Sequence, residues 1–316
     1  MDHPRLARDI MVTKLVTLTP NTNAFDGIAR LLKYNLTGAS VIDEHRNYLG
    51  VFSERCCISV LMATAHLLAS RNVRSPDVPR AKDLMATKLI TLTPDMDVFE
   101  AIHLLLKNRI SGAPVIDKSR QFLGSFSEKT SMTVLLGAAH DQLPTSRVEA
   151  FMDKDRSRAI DEEKSLLSIA QMFFDTPYRR LAVLRDGALI GQISRRDVLR
   201  ASHSMSRYIT NRQDALGDRR ARTSARPLLE NEELASFMDT SAKTTGQDVD
   251  LLSIAQIFRQ TDYRRLPVLN EGELVGQISR RDLLNATNDM IAISPRREKS
   301  LLYLSALVDR DEAPIE

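Results

Sequence analysis

This chain repeats itself, and each repeat is too short to bury a core alone. The run ARDIMVTKLVTLTP (Ala7–Pro20) returns as AKDLMATKLITLTP (Ala81–Pro94), LTGASVID (Leu36–Asp43) as ISGAPVID (Ile110–Asp117), and LGVFSE (Leu49–Glu54) as LGSFSE (Leu123–Glu128), at a constant offset of 74 residues. A second pair is offset by 85 residues: SIAQMFFDTPYRRLAVL (Ser168–Leu184) matches SIAQIFRQTDYRRLPVL (Ser253–Leu269), and LIGQISRRDVLRA (Leu189–Ala201) matches LVGQISRRDLLNA (Leu274–Ala286). The pairs also resemble each other, each repeat having an F-M or D-[IL]-M lead-in and a Gly-led strand ending in Ser. The chain is therefore four units arranged as two plus two.

One unit reads the same way each time. A β-rich run such as LVTLT is closed by Pro20, which cannot continue a ladder. An amphipathic helix follows, NAFDGIARLLKYN, with Phe25, Ile28, Ala29 and Leu32 at helical spacing. Two apolar strands, ASVID and YLGVFS, flank a polar turn holding Asp43, His45 and Asn47, and a second helix begins at Ser53. The order is β-α-β-β-α. Repeats are expected over 5–68, 80–141, 146–205 and 232–289, with an Arg-rich linker over 206–231 and a tail over 290–316. The linker carries Arg207, Arg212, Arg219, Arg220, Arg222 and Arg226, which read as a solvated face or as a polyanion contact. The tail contains SLLYLSALV (Ser300–Val308), a candidate docking or oligomer helix.

Composition narrows the function classes. A net charge of +3, with no Trp and 5% aromatic residues, argues against a nucleic-acid partner. The adjacent Cys56 and Cys57 read as small apolar helix residues, and the six His fall in no metal-ligand spacing, so no metal site is expected. No run of about 18 apolar residues occurs, which predicts no membrane span and a cytoplasmic protein. Neither G-x-x-x-x-G-K-[ST] nor G-x-G-x-x-G is present, and no nucleophile–base set is readable. No catalytic residue is expected.

The D-x-M or F-M lead-in, the G-A-P-V-I-D or R-L-P-V strand and the Gly before the next strand recur in the same order in the four units, and units three and four close with S-x-x-D. Together they resemble the CBS domain, and two consecutive units resemble the paired Bateman module, over roughly Arg5 to Ala286. The resemblance implies an α/β fold of four β-α-β-β-α CBS repeats paired into two pseudo-two-fold modules. It also implies clefts that bind adenine nucleotides or related adenosyl compounds and regulate something else.

The closing S-x-x-D admits two readings. A Ser at the helix N-cap and an Asp at N3 form a capping box, worth about 1 kcal/mol without any ligand. A helix N-terminus also suits phosphate, and a carboxylate there can accept hydrogen bonds from ribose hydroxyls. Units one and two carry Cys56 and Thr130 in place of the Asp, while units three and four keep Asp197 and Asp282. Units three and four also carry YRRL before the strand, where units one and two have uncharged LTGA and ISGA. Arg forks suit phosphate, although these could equally pair with neighbouring acids.

The family resemblance assigns roles to these positions: Asp197 and Asp282 to the ribose, and Ser194, Ser279, Arg179, Arg180, Arg264 and Arg265 to phosphate. Backbone around Ala159, Ile160, Thr244 and Thr245 would face the base. The expectation is a regulatory protein holding AMP, ADP or ATP in the cleft of the second repeat pair, with no catalytic cofactor. It would act through a homo-oligomer or a protein partner in trans. The rival expectation is a ligand-free interaction scaffold.

Overall fold

The computed structural model describes residues 6–70, 78–139, 143, 145–203 and 232–291. The Arg-rich linker expected over 206–231 and the segment Ser300–Val308 lie outside the described residues. Repeat 1 contains α1 (Ala7–Ile10), α2 (Ala24–Lys33), β1 (Gly38–Ile42), β2 (Tyr48–Ser53) and α3 (Glu54–Ser70). Repeat 2 contains α4 (Ala81–Leu84), α5 (Val98–Lys107), β3 (Gly112–Ile116), β4 (Phe122–Ser127) and α6 (Glu128–Ala139). Repeat 3 contains β5 (Ala159–Asp161), α7 (Leu166–Asp175), β6 (Arg180–Arg185), β7 (Ala188–Ser194) and a helix α8 over 195–203. Repeat 4 contains β8 (Thr245–Gly246), α9 (Leu251–Gln260), β9 (Arg265–Asn270), β10 (Glu273–Ser279) and α10 (Arg280–Ile291). In repeats 3 and 4 the lead-in forms single 3-10 turns, Val148–Ala150 and Leu234–Ser236.

Helices α2, α5, α7 and α9, one in each repeat, are N-capped by a side chain: Asn23, Asp97, Ser165 and Asp250 each accept from backbone N–H in the first turn. In α2 the buried residues are Ala24, Gly27, Ile28 and Leu31, so the stripe read from the sequence is turned about the axis. Phe25 and Leu32 pack at its flank, because the core presses on the side carrying Ala24 and Gly27. Gly27 is small for a reason: a Cβ there would meet the Phe52 ring at 3.0 Å and Leu234 at 3.1 Å.

The two hairpin strands pair antiparallel in each repeat. The first strand is unequal among repeats. β5 and β8 pair in parallel with β6 and β9, whereas repeats 1 and 2 make only the single bridges Leu18↔Val41 and Leu92↔Val115. Leu18 N–H donates to Ser40 O and Ile42 N–H to Leu18 O, each at 3.0 Å. The next donor in register would be Pro20, and in repeat 2 Pro94, which have no N–H, so the ladder stops at one residue.

The repeats are sorted into two compact units. One draws on residues 1–15, 89–156 and 243–316, and the other on 16–88 and 157–242. Repeat 2 therefore pairs with repeat 4, and repeat 1 with repeat 3. In the first unit Leu105, Phe126, Met132 and Leu135 share a core with Ile254, Phe258, Leu266 and Leu283. In the second, Leu31, Phe52, Cys57 and Ile58 share a core with Ile169, Phe173, Leu181 and Val198. Cys56 and Cys57 are free thiols buried in α3, and burial pushes the Cys57 thiol pKa well above its ordinary value.

The lead-ins cross over as well. That of repeat 1 docks on repeat 4, where Val12 and Gln277 exchange backbone hydrogen bonds of 2.9 and 3.0 Å. That of repeat 2 docks on repeat 3 through Ala86 and Gln192, at 2.9 and 3.0 Å. Asp153 bonds Ser125 and Asp239 bonds Val51 in the same way, seating lead-ins 3 and 4 on repeats 2 and 1. These contacts explain the recurrent strand glycine. A Cβ at Gly191 or Gly276 would lie 2.4 or 2.6 Å from the sulfur of Met85 or Met11. A Cβ at Gly124 or Gly50 would lie 2.4 or 2.7 Å from the carbonyl oxygen of Asp153 or Asp239.

Candidate functional site

Each unit contains one repeat that ends in S-R-R-D, and the four residues of that motif have separate tasks. In the repeat 1–repeat 3 unit, Asp197 Oδ2 accepts from the Ser194 backbone N–H at 2.8 Å and from its hydroxyl at 2.6 Å. Ser194 Oγ in turn accepts from Asp197 N–H at 3.3 Å. This is the capping box weighed against the ribose reading, and the geometry realises it. Asp197 Oδ1 takes part in none of these bonds, so the cap uses one carboxylate oxygen and leaves the other.

The first arginine of the motif, Arg195, is buried and donates through Nη2 to Phe173 O at 3.2 Å and Thr176 O at 2.9 Å. It thereby neutralises the C-terminal carbonyls of α7. The second, Arg196, crosses to repeat 1, with Nε 3.0 Å and Nη2 2.9 Å from Glu54 Oε1. Backbone pairing gathers the remaining candidates. Arg180 lies opposite Ser194 across β6 and β7, and Arg195 N–H donates to Arg179 O at 3.1 Å. Ala159 and Ile160 sit on the neighbouring strand, opposite Ala182 and Val183. Ala159, Ile160, Arg179, Arg180, Ser194 and Asp197 thus share one sheet and the start of one helix. Near them the Arg158 guanidinium stands 4.4 Å from the centre of the Tyr178 ring.

The repeat 2–repeat 4 unit repeats the arrangement with a heavier charge load. Asp282 Oδ2 accepts from Ser279 N–H and Oγ–H, both at 2.7 Å. Arg280 donates to Phe258 O at 2.9 Å and Thr261 O at 2.8 Å, and burial pushes its pKa down to about 10. Arg281 Nε donates to Glu128 Oε1 at 3.0 Å, and Arg264 Nε lies 3.3 Å from Glu128 Oε2. Lys129 bonds Asp262 at 2.6 Å. Arg265 lies opposite Ser279, while Thr245, on β8, lies opposite Val268 with Thr244 just before it.

The predicted residues are therefore collected in two sets of six, one per unit. A position that sequence reasoning passed over joins the repeats within each unit. The helix after each hairpin starts with Glu54, Glu128, Arg195 and Arg280 in repeats 1 to 4. Arg196 of repeat 3 meets Glu54 of repeat 1, and Arg281 of repeat 4 meets Glu128 of repeat 2. Pairing each with a Glu-bearing repeat satisfies both. The alternation of F-S-E with I-S-R was the available signal.

Repeats 1 and 2 lack the carboxylate but not the cap. Thr130 Oγ1 accepts from Ser127 N–H at 2.8 Å, and Thr130 N–H donates to Ser127 Oγ at 3.3 Å. Cys56 N–H reaches Ser53 Oγ at 3.5 Å. Losing the Asp therefore removes a carboxylate from the helix start without uncapping it. Among the described residues, no group of three or more His, Cys, Asp or Glu side chains could hold a metal ion. No described helix is long and apolar enough to cross a membrane.

The repeats match known proteins. Residues 7–63, 81–130, 148–204 and 234–289 each match the family model of the CBS domain. Protein MJ1225 of Methanocaldococcus jannaschii is 26% identical over 205 residues, spanning 64% of this chain and 68% of the relative. Protein MJ1426 of the same organism is 31% identical over 150 residues, spanning 38% of this chain and 89% of the relative. Among solved structures, CBSX2 in complex with AMP is similar at 26% identity and a TM-score of 0.37, covering 40% of this chain and 98% of that chain.

Proposed function

Because this chain belongs to the CBS-domain family, with every matched stretch a CBS domain, we propose that it is a regulatory protein binding one adenine nucleotide in each compact unit. Asp197 and Asp282 take the ribose hydroxyls. Ser194 with Arg179 and Arg180, and Ser279 with Arg264 and Arg265, take the phosphate, and the backbone at 159–160 and 244–245 takes the base. The ligand is AMP, ADP or ATP, and its differential affinity for two states of the chain alters contacts with a second copy or a protein partner. The protein works in the cytoplasm and carries out no chemistry on its ligand.

The observation that carries the reading is the half-used carboxylate. Asp197 and Asp282 each commit Oδ2 to the helix cap, while Oδ1 accepts no hydrogen bond among the described residues. Such a carboxylate can accept ribose hydroxyls without disturbing the helix. Titration calorimetry with AMP, ADP and ATP tests it. We expect two sites per chain in the wild type, one in Asp197→Ala and one in Asp282→Ala, and none in the double variant. Undiminished binding in the double variant would refute the assignment.

One observation favours a second reading, the ligand-free scaffold. Capping and ion pairing account for all four residues of S-R-R-D by themselves. Failure of a broad nucleotide panel to raise the Tm of the wild type would decide for it.

A further inference from the structure

Glu128 is almost fully buried, with 2% of its side chain exposed, yet faces more positive charge than it can neutralise. It opens α6 in repeat 2, where its N–H donates to Ser111 O at 3.0 Å. Its two carboxylate oxygens serve different arginines of repeat 4: Oε1 lies 2.9 Å from Arg281 Nη2, and Oε2 lies 3.3 Å from Arg264 Nε. Arg280 stands in the same cluster, its charged form disfavoured by burial and by Arg264 and favoured by Glu128 and Asp262. Lys129 and Asp262 form an ion pair of their own. Two guanidiniums thus contact one buried carboxylate, and a third acts on it electrostatically.

The partner unit differs at this point. Glu54 takes Arg196 as its ion-pair partner, and among the described residues it forms no ion pair with Arg179. The position equivalent to Arg264 is therefore not held by the half-buried Glu54 there.

We infer that Glu128 is a specificity-determining residue of the repeat 2–repeat 4 site, setting its preference for phosphorylated over unphosphorylated nucleosides by competing with the ligand phosphate for Arg264. The inference rests on the nucleotide reading of that unit. A phosphate dianion that recruits Arg264 must draw Nε away from Glu128 Oε2, while Oε1 keeps Arg281. Phosphate binding is then an exchange of one anion for another, so part of its gain is lost. A nucleoside without phosphate leaves Arg264 where it is and does not meet the competition. In the repeat 1–repeat 3 unit, among the described residues, Glu54 is not shared between Arg196 and Arg179 in this way.

The test uses the full chain with Asp197→Ala, so that the repeat 2–repeat 4 unit alone reports, and titrates AMP and adenosine with and without Glu128→Gln. Freeing Arg264 should tighten AMP by about five- to tenfold, as expected for loss of one partly buried charge contact. Adenosine affinity should stay within about twofold, a difference worth less than half of that contact. An unchanged ratio of the two affinities overturns the inference while leaving the nucleotide site standing. Binding of neither compound to the Asp197→Ala chain overturns the nucleotide reading of this unit and the inference with it. Glu54→Gln in the Asp282→Ala chain is the control and should leave the ratio unmoved; an equal shift there would also overturn the inference. Should Glu128→Gln fail to fold, Arg264→Gln replaces it. That variant should abolish the preference for AMP, and a preference that survives refutes the mechanism.

Discussion

Gly124→Ala tests the crossed lead-ins directly. Gly124 lies in β4, and a Cβ there would stand 2.4 Å from the Asp153 carbonyl oxygen and 3.2 Å from its carbon. The obstacle is backbone, which cannot rotate away as a side-chain end can. Relief requires the lead-in of repeat 3 to lift from repeat 2, breaking the Ser125–Asp153 pair of hydrogen bonds at 2.9 and 2.8 Å. Two such bonds are worth about 1 kcal/mol each, and overpacking adds about 1–3 kcal/mol. A loss of about 3–5 kcal/mol follows, which for a unit of this size lowers Tm by roughly 6–20 °C. Gly246→Ala, in the same unit, is the control, since its Cβ would meet only Val249 Cγ2 at an ordinary 3.7 Å. Differential scanning calorimetry of both variants reads the difference. A Gly124→Ala chain melting within about 1 °C of wild type, well under the shift for one kcal/mol, would mean that no carbonyl occupies that place.

Two further outcomes follow from the same packing. Val12 and Gln277 are a hydrogen-bonded antiparallel pair, whose Cα atoms stand about 5.5 Å apart, within disulfide reach. Val12→Cys with Gln277→Cys should cross-link on oxidation and Val12→Cys with Gln192→Cys should not, as peptide mapping will show; the reverse result would assign lead-in 1 to repeat 3. Lead-in 2 is held to repeat 3 partly by Glu163, whose pKa is lowered by hydrogen bonds from Lys82 and Arg80. A depressed carboxylate stabilises the fold above its unfolded value of 4.5, and that contribution is lost as pH falls through the lower folded value. The Tm gap between wild type and Glu163→Gln should therefore close on acidification below pH 4.5, and a gap that widens would contradict the sign.

Much of the fold was legible in the chain because it rests on local chemistry. Pro20 and Pro94 mark the end of the first strand, and the structure shows that they also limit it to a single bridge. Ser194 and Asp197 are readable as a cap because the two residues are three apart at a helix start, whatever surrounds them. Arg180 and Arg265, taken as phosphate candidates from the family resemblance, stand opposite Ser194 and Ser279 because a hairpin fixes its own register. The stripe of α2 was misjudged by one position, since several apolar faces were available and only the packing of Phe52 and Leu234 against Gly27 selects among them.

The sequence by itself determined the repeat, its element order, its caps and the residues that distinguish repeats 3 and 4 from repeats 1 and 2. All of these depend on residues within a few tens of positions of one another. Which repeat embraces which was decided only in three dimensions. The four bodies are similar enough that apolar surface alone does not choose among them. The choice rests on contacts far apart in the chain: Glu54 with Arg196, Glu128 with Arg281, and Met11 and Met85 over Gly276 and Gly191. Buried charge must meet its opposite, and a methionine needs a surface without a side chain, so these few contacts hold repeat 1 with repeat 3 and repeat 2 with repeat 4.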